Sequence, residues 1–215
     1  MIRNIVIERE FGSGGGAIAQ KLAQRLGWKL WDREVTEEIA RRLHCDVKTV
    51  EQREERCDTG FYRLVKAFMR GSNEASYSGG SLELLDGEHL AEIFAQISLD
   101  IAQQGNAVIV GRGATWFLRG RDDTFTVFIF APREEKIRRL GLAMNKTRQE
   151  AEELIETVDR ERAAFVKRYY GLNWPLRSLY HLMLNSKVGD DLVIETMLGQ
   201  IERLNGKQAP SVSLR

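Results

Sequence analysis

The sequence predicts an α/β fold: a parallel five-stranded sheet flanked by helices, with a helical block inserted between the second and third strands. Three observations carry this. Residues 5–17 read IVIEREFGSGGGA, an apolar strand that enters a Gly-Ser-Gly-Gly-Gly turn and passes at once into a helix. Ala107–Val110 and Thr124–Phe130 are short apolar runs, the pattern of strands covered on both faces. Residues 33–106 separate the second strand from the third and offer helical patterns but no good strand.

The elements follow in order. Strand one is Asn4–Glu8. The helix after the turn, Ala17–Leu26, sets Ile18, Leu22, Ala23 and Leu26 on one face at helical spacing. A short strand, Trp28–Trp31, ends at Asp32. Glu34–Leu43 is an amphipathic helix through Val35, Ile39 and Leu43. Asp46–Glu55 is charged and helical, capped by Asp46. Phe61–Met69 is helical, and Gly71–Gly80, rich in Gly, Ser and Asn, reads as a mobile loop. Gly87–Gly105 is a long helix with Leu90, Ile93, Phe94, Ile97 and Ile101 on its apolar side. After strands three and four, Pro132–Leu142 and Thr147–Tyr169 are helices. Tyr180–Leu184 is the last strand, Asp191–Leu204 the last core helix, and the tail Asn205–Arg215 frays.

Composition narrows the function. A chain of 215 residues, 43% hydrophobic, buries one substantial core. Charged residues are 29% and nearly balanced at net +1, against a general nucleic-acid binder. No apolar stretch approaches the ~18–20 residues of a membrane span, and the first residues read as a strand rather than a signal peptide. Cys45 and Cys57 lack metal spacing, which suits ordinary thiols in the reducing cytoplasm.

The glycine turn has the build of a phosphate cradle: glycines let the backbone approach an anion, and the first amides of the helix point at it. Three readings compete. One is a structural turn. A second is a dinucleotide fingerprint, since Gly12, Gly14 and Ala17 fit G-x-G-x-x-A and Asp32 follows Gly12 by 20 residues. The third is a degenerate mononucleotide loop. The usual form carries Lys then Ser or Thr after the glycines, yet no lysine occurs between Met1 and Lys21. A dinucleotide domain alternates strand and helix steadily, so the helical block after strand two favours the third reading.

Four blocks then bear a resemblance. Arg9-Glu10-Phe11-Gly12-Ser13-Gly14-Gly15-Gly16-Ala17-Ile18-Ala19 resembles the first motif of the cytidylate kinase-like family. Val108-Ile109-Val110-Gly111-Arg112-Gly113-Ala114 resembles its third-strand motif. Phe128-Ile129-Phe130-Ala131-Pro132, followed by Arg138-Arg139, resembles its fourth strand and lid entry. Asp159-Arg160-Glu161-Arg162, Tyr169-Tyr170-Gly171 and Tyr180-His181-Leu182-Met183-Leu184-Asn185 resemble its C-terminal segment. The match spans roughly residues 3–200 and is weak across 45–90. It implies one domain of the phosphate-loop kinase type over 1–215, a helical insertion at 33–105 closing on the acceptor, and a lid near 139–160 closing on the donor. The implied chemistry is phosphoryl transfer from ATP with Mg²⁺ to a nucleoside monophosphate, CMP first. A nucleotide-binding regulator without catalysis is the alternative, and a dinucleotide oxidoreductase the third reading.

The resemblance also distributes roles. Gly12, Ser13, Gly14, Gly15 and Gly16 bind donor phosphates. Anchored without a gap on Leu22-Ala23-Gln24-Arg25-Leu26-Gly27-Trp28, the lysine position of the classical cytidylate kinases falls on Gly15 and their hydroxyl position on Ala17, a departure that leaves Ser13 as the nearest hydroxyl for a metal ion. Arg9 either replaces some of the missing positive charge or points away as the end of strand one. Asp32 either binds the acceptor or a metal-bound water, or caps the helix at Glu34. Arg41, with Arg42 beside it, either grips the acceptor phosphate, because a guanidinium fork matches phosphate, or lies on a solvated helix face. Arg112 directly follows a buried strand, at the end where open sheets bind ligands. Arg112, Arg138 and Arg139 are the catalytic candidates, the latter two with Arg148 flanking the lid. Arg160 and Arg162 are acceptor candidates, but about 200° separates them on a helix, so one faces the site and the other solvent. The three histidines are scattered, and no general base is assigned.

Overall fold

The computed structural model describes residues 1–32, 34, 35, 38 and 87–207. Five strands, β1 (Asn4–Arg9), β2 (Lys29–Trp31), β3 (Ala107–Val110), β4 (Thr124–Phe130) and β5 (Leu182–Asn185), form one parallel sheet in the order β2-β3-β1-β4-β5. The described helices are α1 (Gly15–Leu26), α2 (Gly87–Gln104), α3 (Ala114–Phe117), α4 (Arg133–Met144), α5 (Arg148–Tyr170) and α6 (Asp190–Lys207). The helices expected between residues 36 and 86, the Gly71–Gly80 loop, Arg41 and Arg42 lie outside the described residues, as does the tail beyond 207.

Helices cover both faces, so the central strands are buried and largely apolar, with Glu8 and Arg9 at the carboxyl end of β1. On one face Ile5 and Ile7 join Ile18 and Leu22 of α1 and Val193 and Met197 of α6. On the other, Val6 and Ile109 join Phe94, Ile97 and Ile101 of α2 and Phe165 of α5. The strand order sends the chain from β1 toward β2 and from β3 toward β4. Neighbouring strands β1 and β3 therefore launch in opposite directions, which opens a crevice at their carboxyl ends.

Most boundaries shift by one to three residues, and α6 continues to Lys207, into the tail expected to fray from Asn205; three differences bear on the site. β1 runs to Arg9, whose register partner is Ile129. β5 starts at Leu182, because Arg177–Leu179 form a short 3₁₀ turn closed by Tyr180 N–H donating to Arg177 O at 3.2 Å. Helix α3, at four residues, is too short to show a period in sequence.

The expected lid region falls within the helix–turn–helix α4–α5. Asn145, at φ 51°, ends α4, and Thr147 with Glu150 forms a capping box that starts α5. This pair has its own small core, in which Phe11 of the glycine turn packs against Ile137, Leu140, Ala151, Ile155 and Val158.

Candidate active site

Two turns meet at the crevice. The first is Gly12–Gly16, between β1 and α1. Gly14 takes φ 78° and precedes α1 with no side-chain cap and no acid in the first turn. The opening amides of α1 are thus left to an anion. A Cβ at Gly14 would collide with the Arg139 guanidinium, and one at Gly15 would stand 2.7 Å from Arg9 Cβ. The loop's backbone is held from behind. Phe11 N–H donates to Asp159 Oδ1 at 2.8 Å, Arg162 Nη1 donates to Arg9 O at 3.1 Å, and Lys136 pairs with Glu10 at 2.9 Å.

The second turn is Gly111-Arg112-Gly113, between β3 and α3. All three residues take left-handed φ, at 67°, 62° and 72°. Arg112 does so without being glycine, a strained choice that surrounding contacts must over-determine. Gly113 admits no side chain, since its Cβ would lie 2.8 Å from the Tyr170 ring.

Charge is concentrated between the turns. Arg9, Arg112 and Arg162 are 5%, 2% and 4% exposed, and Glu8, at 8%, sits among them. Burial pushes the Glu8 carboxyl above its ordinary value, while Arg9, Arg162, Arg112 and a hydrogen bond from Trp174 pull it back. Burial first, and Arg9 next, push the Arg162 guanidinium down to about 9, against the attraction of Asp159 and Glu8. Asp159 is likewise raised by burial and restrained by Arg162, the Phe11 amide and Lys136. Buried guanidiniums that repel one another in this way are stabilised by any further anion placed among them.

An aromatic wall closes this side. Trp174 and Tyr180 pack on Phe128 at 5.6 and 5.1 Å between ring centroids, and Tyr170 packs on Phe117 and Phe165 at 5.2 and 5.9 Å. Burial raises the Tyr170 and Tyr180 phenols, so both stay neutral hydroxyls at ordinary pH.

The structure brings together Arg9, Gly12–Gly16, Arg112 and Arg162 of the residues expected from sequence. Arg162 faces the site and Arg160 is exposed, which resolves that pair. Asp32 is buried after β2, its backbone amide donating to Glu34 Oε2 at 3.2 Å. Ser13 is fully buried and its hydroxyl donates to Glu10 O at 2.8 Å. Arg138 points outward onto Glu135, at 2.6 and 3.0 Å. Arg139 also takes Glu135 but reaches Ser13 O, Ser186 Oγ and Ser186 O, so it clips the glycine turn to the residues after β5. Arg148 is engaged by Glu134 and Glu152. His181 Nδ1 accepts from Thr126 N–H at 3.0 Å, a structural use.

Glu8 and Trp174 were not singled out from sequence, and Tyr170 and Tyr180 stood only in the family-like blocks with no role given them. Glu8 carries a signal: a carboxylate at the end of the apolar run Ile5–Ile7, next to Arg9. For a metal ion, no group of three or more His, Cys, Asp or Glu is placed to hold one among the described residues. The uncapped start of α1 suits an anion, and a Mg²⁺ ion carried with a phosphate chain would take its oxygens largely from phosphate and water, as Mg²⁺ commonly does. Among the described residues no helix is long and apolar enough to cross a membrane.

The model of the cytidylate kinase-like family matches residues 4–188. The chain belongs to the cytidylate kinase-like family. An uncharacterized protein from Eubacterium ventriosum has a similar structure, at TM-score 0.67 and 22% identity over 94% of this chain and 99% of that one. Shikimate kinases from Bacteroides thetaiotaomicron and Acinetobacter baumannii, the latter solved with shikimate, align at TM-scores 0.48 and 0.49 and 17% and 15% identity. They cover 94% and 97% of this chain, and 98% and 96% of their own length is covered. Among curated proteins nothing matches. The strand order 2-3-1-4-5 differs from the 3-2-1-4-5-6 of dinucleotide domains, which sets the oxidoreductase reading aside.

Proposed function

We propose that this kinase-like protein transfers the γ-phosphoryl group of ATP, carried with Mg²⁺, to a nucleoside monophosphate, with CMP the first acceptor to test. The observation that supports this reading is the set of three buried guanidiniums, Arg9, Arg112 and Arg162, at the carboxyl ends of β1 and β3. The amides at the start of α1 hold the donor phosphates. Arg112 and Arg162 hold the acceptor's phosphate, and the guanidiniums offset the charge spread over the transferring oxygens. The P–O bond to ADP breaks as one forms to the acceptor's phosphate oxygen, giving ADP and a nucleoside diphosphate. Asp32 and Arg41 are proposed to contact the acceptor from the 33–105 side. The reducing cytoplasm is the proposed setting, on the cysteine pattern given above.

The test is coupled ADP release over a panel of nucleoside monophosphates and other small phosphate acceptors. ADP with a matching diphosphate product, above a no-enzyme control, is expected. A second reading, a nucleotide-binding regulator, is favoured by the absent loop lysine, by Ala17 and by the engaged Ser13 hydroxyl. Tight ATP binding with no product across the whole panel would establish it instead.

A further inference from the structure

We propose that Arg9 is the donor-loop cation of this chain, moved from the loop to the end of β1, and that Gly15 and Gly111 are glycines because Arg9 occupies their side-chain space. The proposal rests on the phosphoryl-transfer reading and concerns how that site is charged. The lysine position of the classical cytidylate kinases falls on Gly15. A Cβ there would stand 2.7 Å from Arg9 Cβ and 3.0 Å from Arg9 Cγ. No Cβ tolerates such approach to a stem fixed in a buried strand, so a lysine at 15 excludes the arginine stem at 9. The Arg9 stem starts where the lysine stem would start.

Its far end also has a defined place. A Cβ at Gly111 would collide with Arg9 Nη1. The side chain therefore runs from the mouth of the donor turn to the end of β3, beside the turn that carries Arg112. This path runs between the two turns proposed to hold the donor and acceptor phosphates. Arg139 and Lys136 also stand beside the loop, Arg139 held by Ser13 O, Ser186 and Glu135, and Lys136 by Glu10 and Asp159, and neither runs from one turn to the other. Glycine at 111 fits the same account, since any side chain would displace the guanidinium.

The experiment is calorimetric titration with inorganic tripolyphosphate, repeated with ATP, so that the readout needs no acceptor and no turnover. Arg9→Gln keeps most of the stem without charge, and Arg9→Lys keeps the charge. Arg9→Gln is expected to weaken tripolyphosphate binding by about tenfold or more, the loss of one charge-assisted contact, while Arg9→Lys retains most of it. Gly15→Lys alone is expected to lose binding through the clash with Arg9. Arg9→Gly combined with Gly15→Lys is expected to bind better than Arg9→Gly by about tenfold. Parent-like binding by Arg9→Gln, or a double variant no better than Arg9→Gly, overturns the proposal and leaves the kinase reading standing. If the double variant does not fold, the Gln and Lys variants decide. A parent that binds neither tripolyphosphate nor ATP overturns both.

Discussion

The turn after β1 has four glycines and no cation, and opens a helix of 12 residues. The turn after β3 has two glycines around one arginine and opens a helix of four residues. Both follow central parallel strands, and both reverse the chain through left-handed backbone. The first presents amides, which suit a chain of phosphates with many oxygens. The second presents a buried guanidinium on a strained residue, which suits one anion in one orientation. A donor needs to be cradled along its length, and an acceptor needs to be aimed. The difference between the turns is what the proposed phosphoryl transfer would ask of its two ends.

The strongest way to break this comparison is to close the first turn. Gly14→Val puts a β-branched residue at φ 78° and drives it into Arg139. Strain of this kind costs about 1–3 kcal/mol, so the melting temperature should fall. Losing even one charge-assisted contact to phosphate, worth about 1.5–3 kcal/mol, should weaken ATP by more than about tenfold. A folded Gly14→Val protein with parent affinity by calorimetry would mean that this turn is not a cradle.

Arg112 sharpens the second half. Arg112→Ala should weaken acceptor binding by about 1–3 kcal/mol, and Arg112→Lys should restore only part, because the planar fork is lost. Stability gives an independent reading. Alanine usually outranks glycine, but at φ 62° a Cβ is penalised by about 1–2 kcal/mol. Arg112→Gly should therefore melt above Arg112→Ala. The reverse order would show that the backbone relaxes once the guanidinium is gone, and that the strain serves only to place it.

These two turns were legible in sequence because their glycines and their buried strands are local signals. The strand runs at 107–110 and 124–130 and the two helices after the second were equally plain. What joins the turns was not legible. Arg9 meets Gly111 and Arg162 donates to Arg9 O across 102 and 153 positions of chain, contacts fixed only by strand order and by the seating of α5. Arg160 and Arg162 show the same limit. Helical period required them to diverge, but which one turned inward depended on where α5 lies against the sheet. Arg138 and Arg139 are adjacent lid-flanking candidates in sequence, and helix α4 sends one to solvent and the other onto the donor turn.

That clip is a smaller lever on the donor turn, and it depends on pH. Glu135 is held down to about 2 from 4.5, first by the hydrogen bonds from Arg138, then by Arg139, against its burial. A carboxyl lowered on folding adds stability that is complete above its unfolded value and is lost as pH falls through the folded one. Comparing parent with Glu135→Gln, the gap in melting temperature should be widest above pH 4.5 and close toward pH 2. A gap constant across that window would place the charge of Glu135 outside the clip.

The smallest effect is expected at Arg138, and it separates the clip from a charged exterior. Its guanidinium is largely exposed and pairs with Glu135 three residues back. Exposed pairs of this type contribute about 0.2–1 kcal/mol, and less at high salt. Arg139 retains Glu135 without it, and the contacts to Ser13 and Ser186 do not involve Arg138. Arg138→Ala should therefore leave the melting temperature and ATP affinity nearly unchanged. Arg139→Ala, by releasing the carbonyl of Ser13, should weaken ATP measurably, since each lost hydrogen bond counts for about 0.5–1.5 kcal/mol. In the coupled assay the two variants should differ in the same direction. If Arg138→Ala instead lowers kcat while ATP affinity holds, the residue swings inward when donor and acceptor are bound, and the acceptor turn has a second source of charge from α4.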